Sequence, residues 1–212
     1  KFVGSPIGIH PVGILQILVV TILHQMKPKK ISYYFFAIVI IVYISTPAYG
    51  QQTTIVSNSG KVKFSSEATM ESIEASSYKL KGAIDKSKNT FAFAVDIKSF
   101  EGFNSDLQRE HFDENYIETD KYPTASFAGK FIETFDFTTN GTFTRRAKGM
   151  FSIHGIQKER IIKGTIAINN GNITIDALFN IRLEDHDIKV PKIVYEKIAE
   201  EIKIEFNIQF KN

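Results

Sequence analysis

The stretch Ile202-Lys203-Ile204-Glu205-Phe206-Asn207-Ile208-Gln209-Phe210-Lys211 alternates apolar and polar residues without a break. A period of two belongs to a strand with one buried face, because successive side chains leave a β-strand on opposite sides. Outward from this stretch, Phe91, Phe93, Val95 and Ile97 repeat the pattern, as do Ile173, Ile175, Ala177, Phe179 and Ile181, each run bounded by Gly, Asn or Asp. Turn signals stand at Asn140-Gly141, at Asn170-Gly171 and across residues 85–89. The spacing gives seven or eight strands beyond Gln51. Residues 124–181 leave room only for hairpin turns, whereas parallel strands need helical crossovers, so the sheet is expected to be antiparallel. A single sheet of that length must curl or close. Closing eight strands removes both edges and leaves an interior wide enough for one small ligand. A two-sheet sandwich with a filled core has the same strand periodicity, so the pattern alone leaves both architectures open.

Two segments read as helix. Ser105-Asp106 offers N-caps, and Leu107, His111 with Phe112, then Asn115 with Tyr116 recur at helical spacing before Tyr122-Pro123 ends the run. Residues 192–201 place Ile193, Tyr195 and Ile198 near one side, with a less regular stripe.

All 23 acidic residues lie after position 50, while the first fifty hold Lys1, Lys27, Lys29 and Lys30 among long apolar runs. The net charge of +3 therefore averages two unlike parts, and beyond Gly50 the balance is 22 basic against 23 acidic residues. Without a basic block to engage phosphates, nucleic-acid binding has no electrostatic basis. Met26-Lys27-Pro28-Lys29-Lys30 reads as the positive start of a signal peptide, residues 31–44 as its apolar core, and Ala48-Tyr49-Gly50 as a small-x-small cleavage site. Residues 26–50 are thus expected to direct export, giving a periplasmic or secreted domain over 51–212. The apolar core falls short of the ~20 residues a spanning helix needs, which disfavours a retained anchor. Residues 1–25 start without Met and carry a second apolar run over 14–23; they read as an extension of the frame, with a membrane hairpin as the rival. With no Cys in the chain, an exported domain has neither a disulfide nor a lipid-modified cysteine, and must rely on one core of about 160 residues.

Eighteen Phe and eight Tyr with no Trp is a heavy aromatic load. Phe in the inward register either fills a β core or lines an apolar cavity, and barrel closure favours the second.

Three motifs then stand in order: Leu107-Gln108-Arg109-Glu110-His111-Phe112-Asp113-Glu114-Asn115-Tyr116, Asp120-Lys121-Tyr122-Pro123-Thr124-Ala125-Ser126-Phe127, and Gly149-Met150-Phe151-Ser152-Ile153-His154-Gly155. In order and spacing they resemble the YceI-like lipid/polyisoprenoid-binding family. There a short helix enters a Tyr-Pro turn, the next strand begins with a polar-small-Phe run, and a later strand ends in an aliphatic-polar-Gly corner. The resemblance spans residues 62–210. It implies an all-β fold, an eight-stranded antiparallel lipocalin-like barrel with one or two short helices, holding an isoprenoid-type chain. By strand register, the candidate ligand-binding wall is Phe91, Phe93, Val95, Phe127, Phe151, Ile175, Phe179, Ile204, Phe206 and Ile208. A slip of one residue would turn an affected strand's candidates outward.

An eight-unit isoprenoid tail taken from water would gain about 0.8 kcal/mol per carbon, roughly 30 kcal/mol in all, beyond the ceiling of non-covalent affinity. Such lipids already reside in membranes, so transfer into a barrel is near neutral and reversible. That suits a carrier of a polyisoprenoid, quinone or fatty-acyl chain, with transient membrane contact and a homodimer compatible with it. No catalytic residue, metal or cofactor is expected. His111 has Asn115, not His, at i+4, so the zinc-protease pattern is absent. His154 sits at the polar position of the family's corner, and Glu184-Asp185-His186-Asp187 reads as a solvated loop. Arg145 and Arg146 point to opposite faces of a strand; an inward one near the barrel mouth is a candidate to hold a lipid head group or diphosphate, and the alternative is an Arg that balances exposed carboxylates on the strand's outer face. The rivals are an envelope protein with a filled barrel acting through its surface, and an enzyme acting on such a lipid.

Overall fold

The computed structural model describes residues 53–134 and 136–211; the expectations for residues 1–25 and 26–50 lie outside the described residues. Eight strands, β1 (Thr54–Glu67), β2 (Ser72–Asp85), β3 (Thr90–Asp96), β4 (Thr124–Phe131), β5 (Gly141–Ile153), β6 (Ile156–Asn169), β7 (Asn172–Arg182) and β8 (Glu201–Phe210), pair antiparallel in chain order. β8 returns to β1, with Ile208 opposite Gly60 and Ile204 opposite Phe64, which closes the barrel. The barrel, not the sandwich, is therefore the architecture.

In an up-and-down barrel alternate turns share an end. One end carries the connections 86–89, 132–140 and 170–171, and the other carries 68–71, 97–123, 154–155 and 183–200. At the first end the Asn170-Gly171 pair takes the left-handed conformation at both residues, φ 49° and 81°, which suits a two-residue hairpin between Asn169 and Asn172. Turns this tight let the end fill. Ile84, Ile173, Ile208 and Phe210 are at most 1% exposed there and form a solid floor.

The long connections gather at the other end. α1 (Asp106–His111), continued by a π turn at Phe112–Tyr116, starts at Ser105, whose Oγ accepts from the Gln108 N–H at 3.1 Å. Phe112 fastens it, stacking on Phe64 at 5.2 Å and meeting Phe103 at 5.1 Å, with Phe100 5.5 Å from Phe64. The second expected helix, 192–201, is instead a single 3-10 turn, Lys192–Val194, and β8 begins at Glu201. Pro191 starts that turn, and of the expected stripe only Ile198 faces inward, joined by Val194, while Ile193 and Tyr195 are 91% and 48% exposed; too little apolar surface is buried to hold a longer helix.

The first hairpin carries the register irregularities that its sequence hides. β1 slips against β2 between Ser57 and Gly60 and again between Gly60 and Val62. These bulges break the period of two, and at Gly60 a side chain would fall 2.8 Å from Leu80 Cδ2. Two ladders are also incomplete. β2 pairs with β3 only from Lys81 to Asp85, and β6 pairs with β7 only from Gly164↔Ala177 to Asn169↔Asn172. The first gap is closed by a bridge between Ser76 and Glu101.

Candidate functional site: an apolar barrel cavity

Between the floor and the α1 end lies a cavity of about 510 Å³, within the ~300–1,000 Å³ common to small-molecule sites. Its wall is carbon from every strand: Val62 and Phe64, Ile73, Phe93 and Val95, Phe127, Phe151, Ile162 and Ile166, Phe179, Ile204 and Phe206 among others. The exposed lining residues, Ser105, Leu107 and His111 at α1 and Lys197, mark where it meets solvent.

Eight of the ten register-chosen residues line this cavity: Phe93, Val95, Phe127, Phe151, Ile175, Phe179, Ile204 and Phe206. Phe91 and Ile208 do not. Both face inward, at 4% and 0% exposure, but they lie at the filled end, where Phe91 packs on Phe131 at 5.1 Å and Ile208 stands opposite Ile175 and Gly60. Register assigned their face correctly; depth along the barrel excluded them from the wall.

The sequence reading missed two groups. The Phe64, Phe100, Phe103 and Phe112 cluster comes from one strand, an irregular segment and the helix, so no single period links its members. Ile162, Gly164 and Ile166 on β6 were legible as alternation, since each inward residue is separated by one outward residue.

The polar lining is sparse: Glu71, Arg145, Lys197 and His111 are its ionisable groups besides Tyr116, whose phenol burial pushes up in pKa. Of the arginine pair, Arg145 turns inward. Its Nη1 donates to the Thr144 carbonyl at 2.9 Å and its guanidinium sits 5.0 Å from the Phe143 ring centroid. Arg146 turns outward onto Glu133, Nε to Oε1 at 2.7 Å with its backbone N–H on Oε2 at 2.8 Å. These two donors, the backbone N–H first, lower the Glu133 carboxyl to about 2.

The histidines have separate structural roles. His111 is exposed on α1. His154 and Gly155, φ 52° and 71°, make the two-residue β5–β6 turn. His154 Nδ1 lies 2.9 Å from the His186 carbonyl oxygen and Nε2 2.8 Å from Glu118 Oε2, while Tyr122 packs edge-on at 4.9 Å. A side chain at Gly155 would fall 2.5 Å from Tyr122 Cε1, so the Tyr-Pro turn and the polar-Gly corner need one another. His186 corrects the expectation of a solvated loop. It is fully buried in a 3-10 turn, Leu183–His186, against Phe151 at 5.4 Å. Burial lowers its imidazole pKa, and its Nδ1–H donates to the Ile156 carbonyl at 3.3 Å. Among the described residues no group of three or more His, Asp or Glu side chains comes together to hold a metal ion.

A closed eight-stranded barrel around an apolar cavity defines a lipocalin-like architecture. Residues 51–210 match the family model of the YceI-like domain, and the chain belongs to the YceI-like family. Among solved structures, it is similar to BcnA of Burkholderia cenocepacia, at 17% identity over 71% of this chain and 95% of that one, with a TM-score of 0.59. It is also similar to a polyisoprenoid binding domain from Saccharophagus degradans implicated in plant cell wall breakdown, at 12% identity over 75% and 98%, with a TM-score of 0.63. At these identities the likeness is one of fold. No curated protein matches the chain.

Proposed function

We propose that this protein is a carrier that holds one apolar lipid chain inside its barrel and releases it unchanged. The observation that carries the reading is the 510 Å³ cavity, walled by carbon and sited where eight strands converge. A polyisoprenoid is the first candidate ligand, supported by family membership and by the polyisoprenoid binding domain of like fold; quinones and fatty-acyl chains share the chemistry. Phe93, Val95, Phe127, Phe151, Ile175, Phe179, Ile204 and Phe206 would contact the chain, and Arg145 would meet its polar end. No bond is made or broken in this reading. Contact with a bilayer would be transient. In the same reading residues 26–50 direct export, and the domain over 51–212 works in the periplasm or outside the cell.

Gentle native mass spectrometry of protein expressed from the full chain in an exporting host, with solvent extraction of anything bound, tests this. A discrete lipid mass released on denaturation supports it. A bare protein mass that persists after incubation with prenyl lipids, quinones and fatty acids overturns it, and mass at the expected cleavage product tests export separately.

A further inference from the structure

We propose that the barrel has a lateral port between β6 and β7, through which an apolar lipid tail enters and leaves the cavity without passing the α1 end. The proposal rests on the carrier reading above. Its first support is the interrupted ladder. β6 stays with β5 up to Ile153↔Ile156, and β7 stays with β8 up to Arg182↔Glu201, yet the two strands pair with each other no further than Gly164↔Ala177. Beyond that point two strand edges face one another without ladder bonds.

A side chain spans the gap. Arg160 on β6 donates from Nη1 to the Asn180 carbonyl on β7 at 2.8 Å and from Nη2 to Asp185 Oδ2 at 3.0 Å. In a zipped ladder that carbonyl would accept from a backbone N–H of the neighbouring strand. Here a guanidinium side chain on β6 does it in place of a backbone N–H. The 3-10 turn Leu183–His186 covers the far end of the gap, held by His186 Nδ1–H on the Ile156 carbonyl.

The gap is also lined for a hydrocarbon. On its inner side Ile162, Phe179 and Ile181 belong to the cavity wall. On its outer side Ile161 and Leu178 are 58% and 59% exposed. Where the gap begins the wall is thinnest: Gly164, Ala177 and Phe206 line both the cavity and a shallow cleft on the outer surface. Opening needs only the Arg160 contacts and the short turn to yield. The Arg160–Asp185 pair is partly solvated, with side chains 21% and 37% exposed, and such pairs hold weakly. The ladders on either side stay whole.

The chain has no Cys, so Lys163→Cys with Leu178→Cys, the positions next beyond the last ladder pair and outside the cavity wall, places one disulfide across the gap. The full-chain protein, oxidised or reduced, is mixed with phosphatidylcholine vesicles carrying a pyrene-labelled long-chain fatty acid, and uptake rate and amount held are measured. Oxidation should slow uptake and release at least about tenfold, with the amount held unchanged and full recovery on reduction. Arg160→Ala should speed both by about threefold, as loss of a weak latch implies, without changing the amount held. Equal rates for oxidised and reduced protein, with probe held by both, or an unaltered rate in Arg160→Ala, overturn the port and leave the carrier intact. Protein that holds neither probe nor any extracted lipid overturns the carrier reading, and the port with it.

Discussion

Filling the cavity separates a hollow barrel from a packed one by the sign of a stability change. Ala147 on β5 faces the cavity, flanked in register by Phe131 and Ile162. A void of about 150 Å³ suffices for a benzene ring. The cavity here is about 510 Å³, so the ring of Ala147→Phe has room without displacing its neighbours. Burying a Phe side chain contributes about 1.5–3 kcal/mol. Lost rotamer freedom takes back roughly 0.5–1 kcal/mol, which leaves a net stabilisation of about 1–2 kcal/mol. In a filled core the same substitution would be overpacking and would cost about 1–3 kcal/mol. The assay is urea unfolding of delipidated protein, since bound lipid would stabilise the native state by mass action and mask the effect. A raised midpoint at unchanged slope is expected, together with reduced lipid content by native mass spectrometry. A midpoint lowered by the equivalent of 1 kcal/mol or more, with lipid content unchanged, would refute the cavity as a binding site.

Other perturbations test the frame around it. His186 is kept below its ordinary value of 6.5 chiefly by burial, so below about pH 6.5 the unfolded chain takes up the proton first and stability falls as pH drops. His186→Leu should flatten that slope between pH 6.5 and 5, and an unchanged slope would assign it to other groups. Gly149→Ala would drive a side chain into the Ala128 carbonyl oxygen across the β4–β5 ladder, costing about 1–3 kcal/mol and several degrees of thermal midpoint, measurable by calorimetry. Ser105→Ala removes the α1 N-cap at a cost of about 1 kcal/mol, which should appear as faster amide exchange at Gln108 and Arg109 with the strands unaffected.

The strands were legible because one face of each is buried, and burial on one face is what a period of two encodes. β7 and β8 follow their alternation to the residue, from Ile173 to Ile181 and from Ile202 to Phe210. The signal failed where backbone geometry interrupts the alternation. The slip between Ser57 and Gly60 puts an extra residue into β1 and exchanges its inward and outward positions, leaving Ser57 buried and Val56 63% exposed, while the slip between Gly60 and Val62 puts the extra residue into β2. The apparent helix at 192–201 failed differently. Its apolar residues split between an inward pair, Val194 and Ile198, and an outward pair, Ile193 and Tyr195, and an amphipathic count does not distinguish burial from exposure. The His186 turn looked solvated because three of its four charged-looking residues are; the imidazole alone turns inward, to a backbone carbonyl that sequence does not locate.

The position of Phe91 and Ile208, inward but outside the cavity wall, shows what a periodic reading lacks: it resolves the face of a strand, but a cavity is also bounded along the strand. The bound was nevertheless present in the connections. The short turns at 86–89 and 170–171 lie at one end, and residues just inside them, such as Ile84, Phe91 and Ile173, draw together into the floor. The long connections 97–123 and 183–200 hold the other end apart, and inward residues toward that end face empty space. Small residues then add to the space from within. Ala147, Gly164 and Ala177 occupy inward positions on three consecutive strands whose other inward residues include Phe151, Ile162, Ile166 and Phe179. Gly164 and Ala177 are also the last pair of the β6–β7 ladder. The same two small residues therefore widen the cavity and thin its wall where the strands part, so capacity and access arise from one local choice. Enlarging Ala177 should therefore reduce the amount of lipid held and the rate of its uptake together.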